Sequence, residues 1–282
     1  MLNFAQFRLV TFDCYGTLID WETGIFSALH PILAAHDKTI ADSELLRLYA
    51  ELEAEAEQGE FHPYREVLQS VVRGLGKRLG FMPTEPQVRS LPDSLSRWPP
   101  FPDTIAALGK LKARYQLAVI SNVDDNLFAA TARRLQIPFD YVVTAQQARA
   151  YKPSLQMFKL AQQRTGVAPG QWLHVAQSVY HDVIPARSLG IATVWVNRPS
   201  SRPGSGAAKA ASGQPDLEVS NLETLAQLSE NREPRTANWF SNPQPVLNWE
   251  STSNHPQALG EPLDGNHHRP LQSSVLPDRP AQ

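Results

Sequence analysis

One cysteine, Cys14, is all that the 282 residues contain, so an internal disulfide framework is excluded. No apolar stretch approaches the roughly 20 residues that a bilayer-spanning helix needs. Neither sign of charge is in excess, because 26 Lys and Arg oppose 28 Asp and Glu for a formal net charge of −2. That balance leaves no electrostatic footprint for nucleic acid or an anionic membrane surface. The N-terminus lacks a basic region followed by a signal-type apolar stretch, so a reducing cytoplasm is the expected location. Against these absences stands 42% hydrophobic content, enough for a sizeable core, and a length that suits one or two domains.

The most informative segment is Arg8 to Leu18, where the apolar run Leu9-Val10-Thr11-Phe12 ends in Asp13-Cys14-Tyr15-Gly16-Thr17. A buried strand has no structural use for a carboxylate at its C-terminal lip, and open α/β sheets bind ligands outside the carboxyl ends of their strands. Gly16 permits a tight turn or a close approach to a ligand, and Thr17 adds a hydroxyl beside the carboxylate. The bland alternative is a helix-capping Asp after an edge strand. Three further strand-end signals weaken it. Gln116 to Ile120 stops at Ser121-Asn122, followed by the helix-start pair Asp124-Asp125. Lys152 stands in the loop before a helix capped by Ser154, and Trp172 to Ala176 breaks into Gln177-Ser178-Val179-Tyr180-His181-Asp182. Cys14, next to Asp13, points to the opposite face of the strand and reads as packing.

Between about Trp21 and Arg97 there is helical periodicity and no convincing strand. Leu45, Tyr49, Leu52 and Ala56 form one apolar stripe, and Val67, Leu68, Val71, Val72 and Leu75 form the next. Glu44, Glu51, Glu53, Glu55 and Glu57 fall mostly on the other faces and read as solvation. The α/β alternation resumes after Trp98 and runs to Asn197. Pro199 to Gln214 is a Ser, Gly, Ala and Pro-rich loop, followed by a short strand at 216–219 and a helix at 222–228. From Ser229 to Gln282 aliphatic residues are few, and the segment is expected to be a disordered tail. Trp239-Phe240, Trp249 and His267-His268 lie within it without a clean spacing.

Asp, then Thr or Ser, then Lys, then Asp, each at a strand end, resembles the four ordered motifs of the haloacid dehalogenase superfamily over about residues 8–228. Phe12 to Leu18 is most similar to the L-2-haloacid dehalogenase (type II) branch. The resemblance implies a doubly wound, mostly parallel α/β core (1–20 and 98–228) with an inserted helical cap (21–97) closing over the site. It implies Asp13 as nucleophile through an aspartyl ester, Lys152 as its ammonium partner, Thr17 and Ser121 as catalytic hydrogen-bonding residues, and Asp182 orienting or deprotonating the hydrolytic water. Tyr15, Asn122, Ser178 and an arginine, Arg47 or Arg65, are the substrate-binding candidates. His181 lies outside the usual catalytic set.

Three differences bear on chemistry. Tyr15 stands where the phosphatase branch carries a second Asp, and a phenol with a pKa near 10 protonates a leaving group poorly. Ala176-Gln177 stands where magnesium-dependent members have Gly-Asp, so a hard cation loses an acidic partner. Phe158 replaces a tyrosine of the type II group. The expectation is therefore a cofactor-free hydrolase of small 2-haloacids, with no nucleic-acid or membrane partner; a homodimer is compatible with the sequence. The alternatives are a Mg²⁺-dependent small-molecule phosphatase, whose metal would sit on Asp13 and Asp182, and a noncatalytic binding protein of the same fold.

Overall fold

The structure, a computed structural model, describes residues 2–198 and 211–230. Six parallel strands form one sheet, β1 (Leu9–Phe12), β2 (Gln116–Ser121), β3 (Tyr141–Thr144), β4 (Trp172–Ala176), β5 (Ala192–Val196) and β6 (Leu217–Val219), in the order β3-β2-β1-β4-β5-β6. The central strand β1 is buried along its whole length, as a parallel strand covered on both faces must be, and this explains its run of apolar residues. The chain winds from β1 through β2 to β3, then returns to the other side of β1 with β4. That reversal makes the carboxyl end of β1 the switch point where ligands bind in such sheets.

Between β1 and β2 the chain leaves the sheet for four helices, α1 (Trp21–Ala35), α2 (Asp42–Ala56), α3 (Tyr64–Leu79) and α4 (Glu85–Ser94). The apolar stripes read from the sequence are the buried ones: Leu45, Tyr49 and Leu52 on α2, and Val67, Leu68, Val71, Val72 and Leu75 on α3. The sheet is flanked by α5 (Thr104–Lys112), α6 (Asp125–Leu135), the one-turn α7 (Ala145–Ala148), α8 (Leu155–Thr165), α9 (Ile184–Ser188) and α10 (Leu222–Leu228). Among the described residues, no helix is long and apolar enough to cross a membrane. Ser229 is still buried as the C-cap of α10, and Glu230 accepts a hydrogen bond from Lys110. The rest of the expected tail, with Trp239, Phe240, Trp249, His267 and His268, lies outside the described residues, as does most of the loop 199–214.

Two of the contacts that fasten the helical insertion to the core bear on the site. Pro63 precedes α3 and offers no side-chain cap, so the first N–H groups of the helix need another acceptor. Asp124, beyond β2, supplies it, accepting from Tyr64 N at 2.8 Å and Arg65 N at 2.9 Å. The second point is Trp98, whose indole donates to Ser94 Oγ and meets the Tyr15 ring edge-on at 5.7 Å. Its face lies directly on Gly24 of α1. A Cβ at Gly24 would stand 2.2 Å from the indole ring.

Gly24→Ala is therefore expected to destabilise the protein by about 1–3 kcal/mol through overpacking, although alanine favours a helix by about 1 kcal/mol over glycine. Thermal unfolding followed by circular dichroism measures it. An unchanged melting temperature would mean that Trp98 is free to shift.

Candidate active site

Asp13 follows β1, and its backbone N–H still donates to Val175 O of β4, so the strand register fixes where the carboxylate emerges. Gly16 turns the chain at φ +89°, closing a loop in which its N–H donates to Ile19 O. An L side chain there would also crowd Trp21, 3.1 Å from where its Cβ would lie. The turn brings Thr17 back so that its hydroxyl donates to Asp13 Oδ2 at 2.7 Å, while accepting from the Gln177 N–H at 2.9 Å.

Lys152 reaches the same point from the loop after α7. Its ammonium makes three hydrogen bonds, to Asp13 Oδ1 at 2.8 Å, Asp182 Oδ1 at 2.6 Å and Ile120 O at 3.0 Å, which uses every proton it has. Burial alone would depress this amine, but the two carboxylates outweigh it and hold Lys152 above the ordinary lysine value. Asp182 sits in a π-turn, Val179–Val183, and is 1% exposed. Burial pushes its carboxyl upward, yet Lys152 and His174 prevail and keep it below the usual carboxylate range. Asp13 lies on the other side of the balance. Its burial outweighs Lys152, and with repulsion from Asp182 the carboxyl is raised.

Behind Asp182 lies a chain of side chains that sequence reasoning missed. Trp172 Nε1 can only donate, and it donates to Thr11 Oγ1 at 2.7 Å. The Thr11 hydroxyl proton is then directed to His174 Nδ1, 2.7 Å away, which leaves His174 Nε2–H as donor to Asp182 Oδ1 at 3.0 Å. Lys152 and His174 thus both occupy Oδ1. Oδ2, although buried, has no partner among the described residues, and neither has the buried Ser121 Oγ. Both residues line a cavity with about 50 Å³ of free space, room for a few waters or the reacting part of a small ligand. The signal for His174 was present as a lone polar residue in a strand buried along its whole length.

The cavity is also lined by Tyr15, Asn122, Gln177, Ser178 and His181. Tyr15 spends its hydroxyl on Thr131, and Ser178 spends its own on the π-turn by accepting from His181 N. Asn122 was expected to touch substrate, but its amide is committed to Lys152, accepting from its N–H at 2.7 Å and donating to its carbonyl at 3.2 Å. Cys14 is fully buried, and burial followed by the Asp13 charge raises its thiol well above the ordinary value, so it packs and does not react. Phe158 is buried and presents its ring edge-on to His174.

The arginine expectation needs correction at both positions. Arg47 is 52% exposed and paired with Glu44 and Glu51 on its own helix, and Arg65 pairs with Asp93. Neither lines the cavity. In their stead α2 and its C-cap contribute Glu53 and Glu57, two of the glutamates that read as solvation. Their spacing held the clue, since Tyr49, Glu53 and Glu57 recur every fourth residue along the stripe that Tyr49 buries.

A carboxylate, an ammonium and a second carboxylate with one free oxygen can perform nucleophilic displacement followed by hydrolysis. The same residues fit a magnesium ion poorly. Asp13 and Asp182 each already give Oδ1 to Lys152, and Gln177 is neutral.

This core and its strand-end set define a haloacid dehalogenase-like hydrolase, and the chain belongs to that family, whose model matches residues 7–190. The motifs therefore gave the family correctly. Among its relatives, (S)-2-haloacid dehalogenase H-109 of Pseudomonas putida is 25% identical over 199 residues, covering 67% of this chain and 85% of that protein. The (S)-2-haloacid dehalogenase 4A of Burkholderia cepacia is 29% identical over 206 residues, covering 70% and 85%. The crystal structure of the L-2-haloacid dehalogenase PA0810 matches with a TM-score of 0.68 at 26% identity, over 79% of this chain and 98% of that one.

The Trp172, Thr11 and His174 chain yields a prediction for hydrolysis. His174→Leu removes a donor that lowers the Asp182 pKa, so the acid limb of the pH-rate profile should move to higher pH. The turnover number should fall about tenfold or more, as expected for losing a charge-assisted hydrogen bond. His174→Gln keeps an N–H donor and should recover most of the rate. A His174→Leu profile superimposable on wild type would remove His174 from the positioning of Asp182.

Proposed function

We propose that the protein hydrolyses the carbon–halogen bond of a small 2-haloacid through an ester on Asp13. The observation that carries this reading is the Lys152 ammonium shared by Asp13 and Asp182 while Asp182 Oδ2 stays free in the cavity. Asp13 attacks the 2-carbon, the new C–O bond forms as the carbon–halogen bond breaks, and halide departs with the bonding electrons. The configuration at that carbon inverts. Water bound at Asp182 Oδ2 then attacks the ester carbonyl and gives a proton to Asp182; the bond from the carbonyl carbon to the substrate oxygen breaks, the leaving oxygen takes up that proton so that the hydroxy acid departs, and the second water proton is released as the Asp13 carboxylate is restored. Thr17 holds Asp13 Oδ2 in place, and the Ser121 hydroxyl is available to the ligand.

The names of the relatives support the halide as leaving group. Tyr15 supports it too, since halide needs no proton and the phenol is raised well above its ordinary value by burial. A phosphoryl group would bring negative charge against Asp13 and call for a bridging cation. We further infer that residues 21–97 act as a lid over a core of 1–20 and 98–228. The enzyme would work without a cofactor on a small molecule in the cytoplasm, alone or as a homodimer.

Chloride release from L-2-chloropropionate should proceed undiminished in EDTA, and Asp13→Asn should abolish it while leaving the melting temperature close to wild type. If haloacids stay inert while added Mg²⁺ drives hydrolysis of phosphate esters, the phosphatase alternative replaces this reading.

A further inference from the structure

The residue that holds Asp13 is itself held through its backbone. While the Thr17 hydroxyl donates to Asp13, the Thr17 carbonyl is taken by Arg198, the second residue beyond β5. Arg198 donates to Thr17 O from Nη2 at 2.9 Å and from Nε at 3.3 Å. The same guanidinium is braced twice more: Nη1 donates to Asp103 Oδ1 at 3.0 Å, and Cζ stands 3.8 Å over the centre of the Phe101 ring. Asp103 is anchored in turn, because its Oδ2 accepts from the Leu222 N–H at the start of α10 at 2.6 Å. The Arg198 and Asp103 side chains are each 13% exposed, so water competes little for the pair.

The turn after β1 has other means of closing. Gly16 N–H donates to Ile19 O, the Leu18 and Ile19 N–H groups donate to Cys14 O, and Leu18 O is held by Phe101 N–H and Thr104 Oγ1. What Arg198 adds is the placement of one peptide, the one that carries the Thr17 side chain. Thr17 Oγ1 must meet Asp13 Oδ2 at 2.7 Å and the Gln177 N–H at 2.9 Å together, and hydrogen bonds weaken steeply away from such geometry. A planar fork with two N–H groups on one carbonyl, braced by a carboxylate and a ring, fixes that peptide in a way that the point charge of a lysine does not.

We propose that Arg198 is a positioning residue for the nucleophile: through the Thr17 peptide it aims the hydroxyl that holds Asp13, and through Asp103 it ties that aim to α10. The inference rests on the reading of Asp13 as the attacking group and extends its support to a residue that does not line the cavity. Its effect therefore falls on the reacting step and not on substrate affinity. Burial raises the Asp13 carboxyl, and the Thr17 hydrogen bond is one of the contacts that pull it back down. Removing the fork loosens that bond. Asp13 must be ionised to attack, so the acid limb of the pH-rate profile moves to higher pH.

The test uses the full chain with L-2-chloropropionate. Arg198→Met keeps an apolar stem over Phe101 and removes every donor. It should lower kcat by about tenfold with KM held within about twofold, the pattern of an interaction felt in the reacting step. The acid limb should rise, and the Asp13 titration, followed by carbon-13 NMR of aspartate-labelled protein, should rise with it. Arg198→Lys keeps a cation opposite Asp103, which secures a folded variant, and should show the same changes in smaller measure. In a Thr17→Val background neither substitution should move the Asp13 titration further, because the hydroxyl through which Arg198 acts is gone. Folded Arg198 variants with wild-type kcat and Asp13 titration overturn the proposal, as does a shift that persists undiminished in Thr17→Val. A wild type that releases no chloride removes the carbon–halogen reading, while the titration still decides the role of Arg198.

Discussion

A single ammonium group, Lys152 Nζ, organises this protein's site. It is buried to 2% exposure among Asp13 at 8% and Asp182 at 1%, and it meets three acceptors with its three protons. Burying one charge without partners would cost several kcal/mol, and burying two carboxylates side by side would be worse. The arrangement survives because each charge is paired and the sheet brings the acceptors together at fixed register. Asp13 follows β1, Ile120 lies in β2, and Asp182 follows β4, the three adjacent strands at the switch point. Asn122 clamps both backbone groups of Lys152, so the ammonium is aimed from its main chain upward.

The asymmetry of that cluster decides what it can do. One oxygen of Asp182 carries both Lys152 and His174, and the other has no partner among the described residues. With one oxygen held and the other free, Asp182 is positioned and still able to accept a hydrogen bond. Asp13 is instead held on both oxygens, by Thr17 on one and Lys152 on the other. Its burial leaves it poorly solvated, which favours attack on carbon.

The opposite wall follows different logic. Asp124 satisfies the orphan N–H groups at the start of α3 and so sets Tyr64, which with Tyr49 sets Glu53. A core carboxylate thus determines where a carboxyl group of the insertion sits. The result is a cavity with Asp13, Lys152 and Asp182 on one side and Glu53 and Glu57 on the other.

The sequence by itself determined the parallel α/β core and the helical insertion, and it marked Asp13, Thr17, Ser121, Lys152 and Asp182, which the structure brings together at one cavity. The reason is local: a polar residue ending a buried apolar strand has few explanations besides chemistry, and the order of such residues follows the strands. It could not determine the substrate side. Whether Arg47 points inward or pairs along its helix, and whether Glu53 is solvated or faces a cavity, depends on how α2 is rotated against the core. A helix places some side chain every 100° around its axis, so sequence spacing says which residues share a face but not what that face meets. His174 was hidden for the same reason, since a lone polar residue in a strand gains meaning only once Asp182 is found 3.0 Å away. Those distances belong to the packing of strands and helices, and only the tertiary structure supplied them.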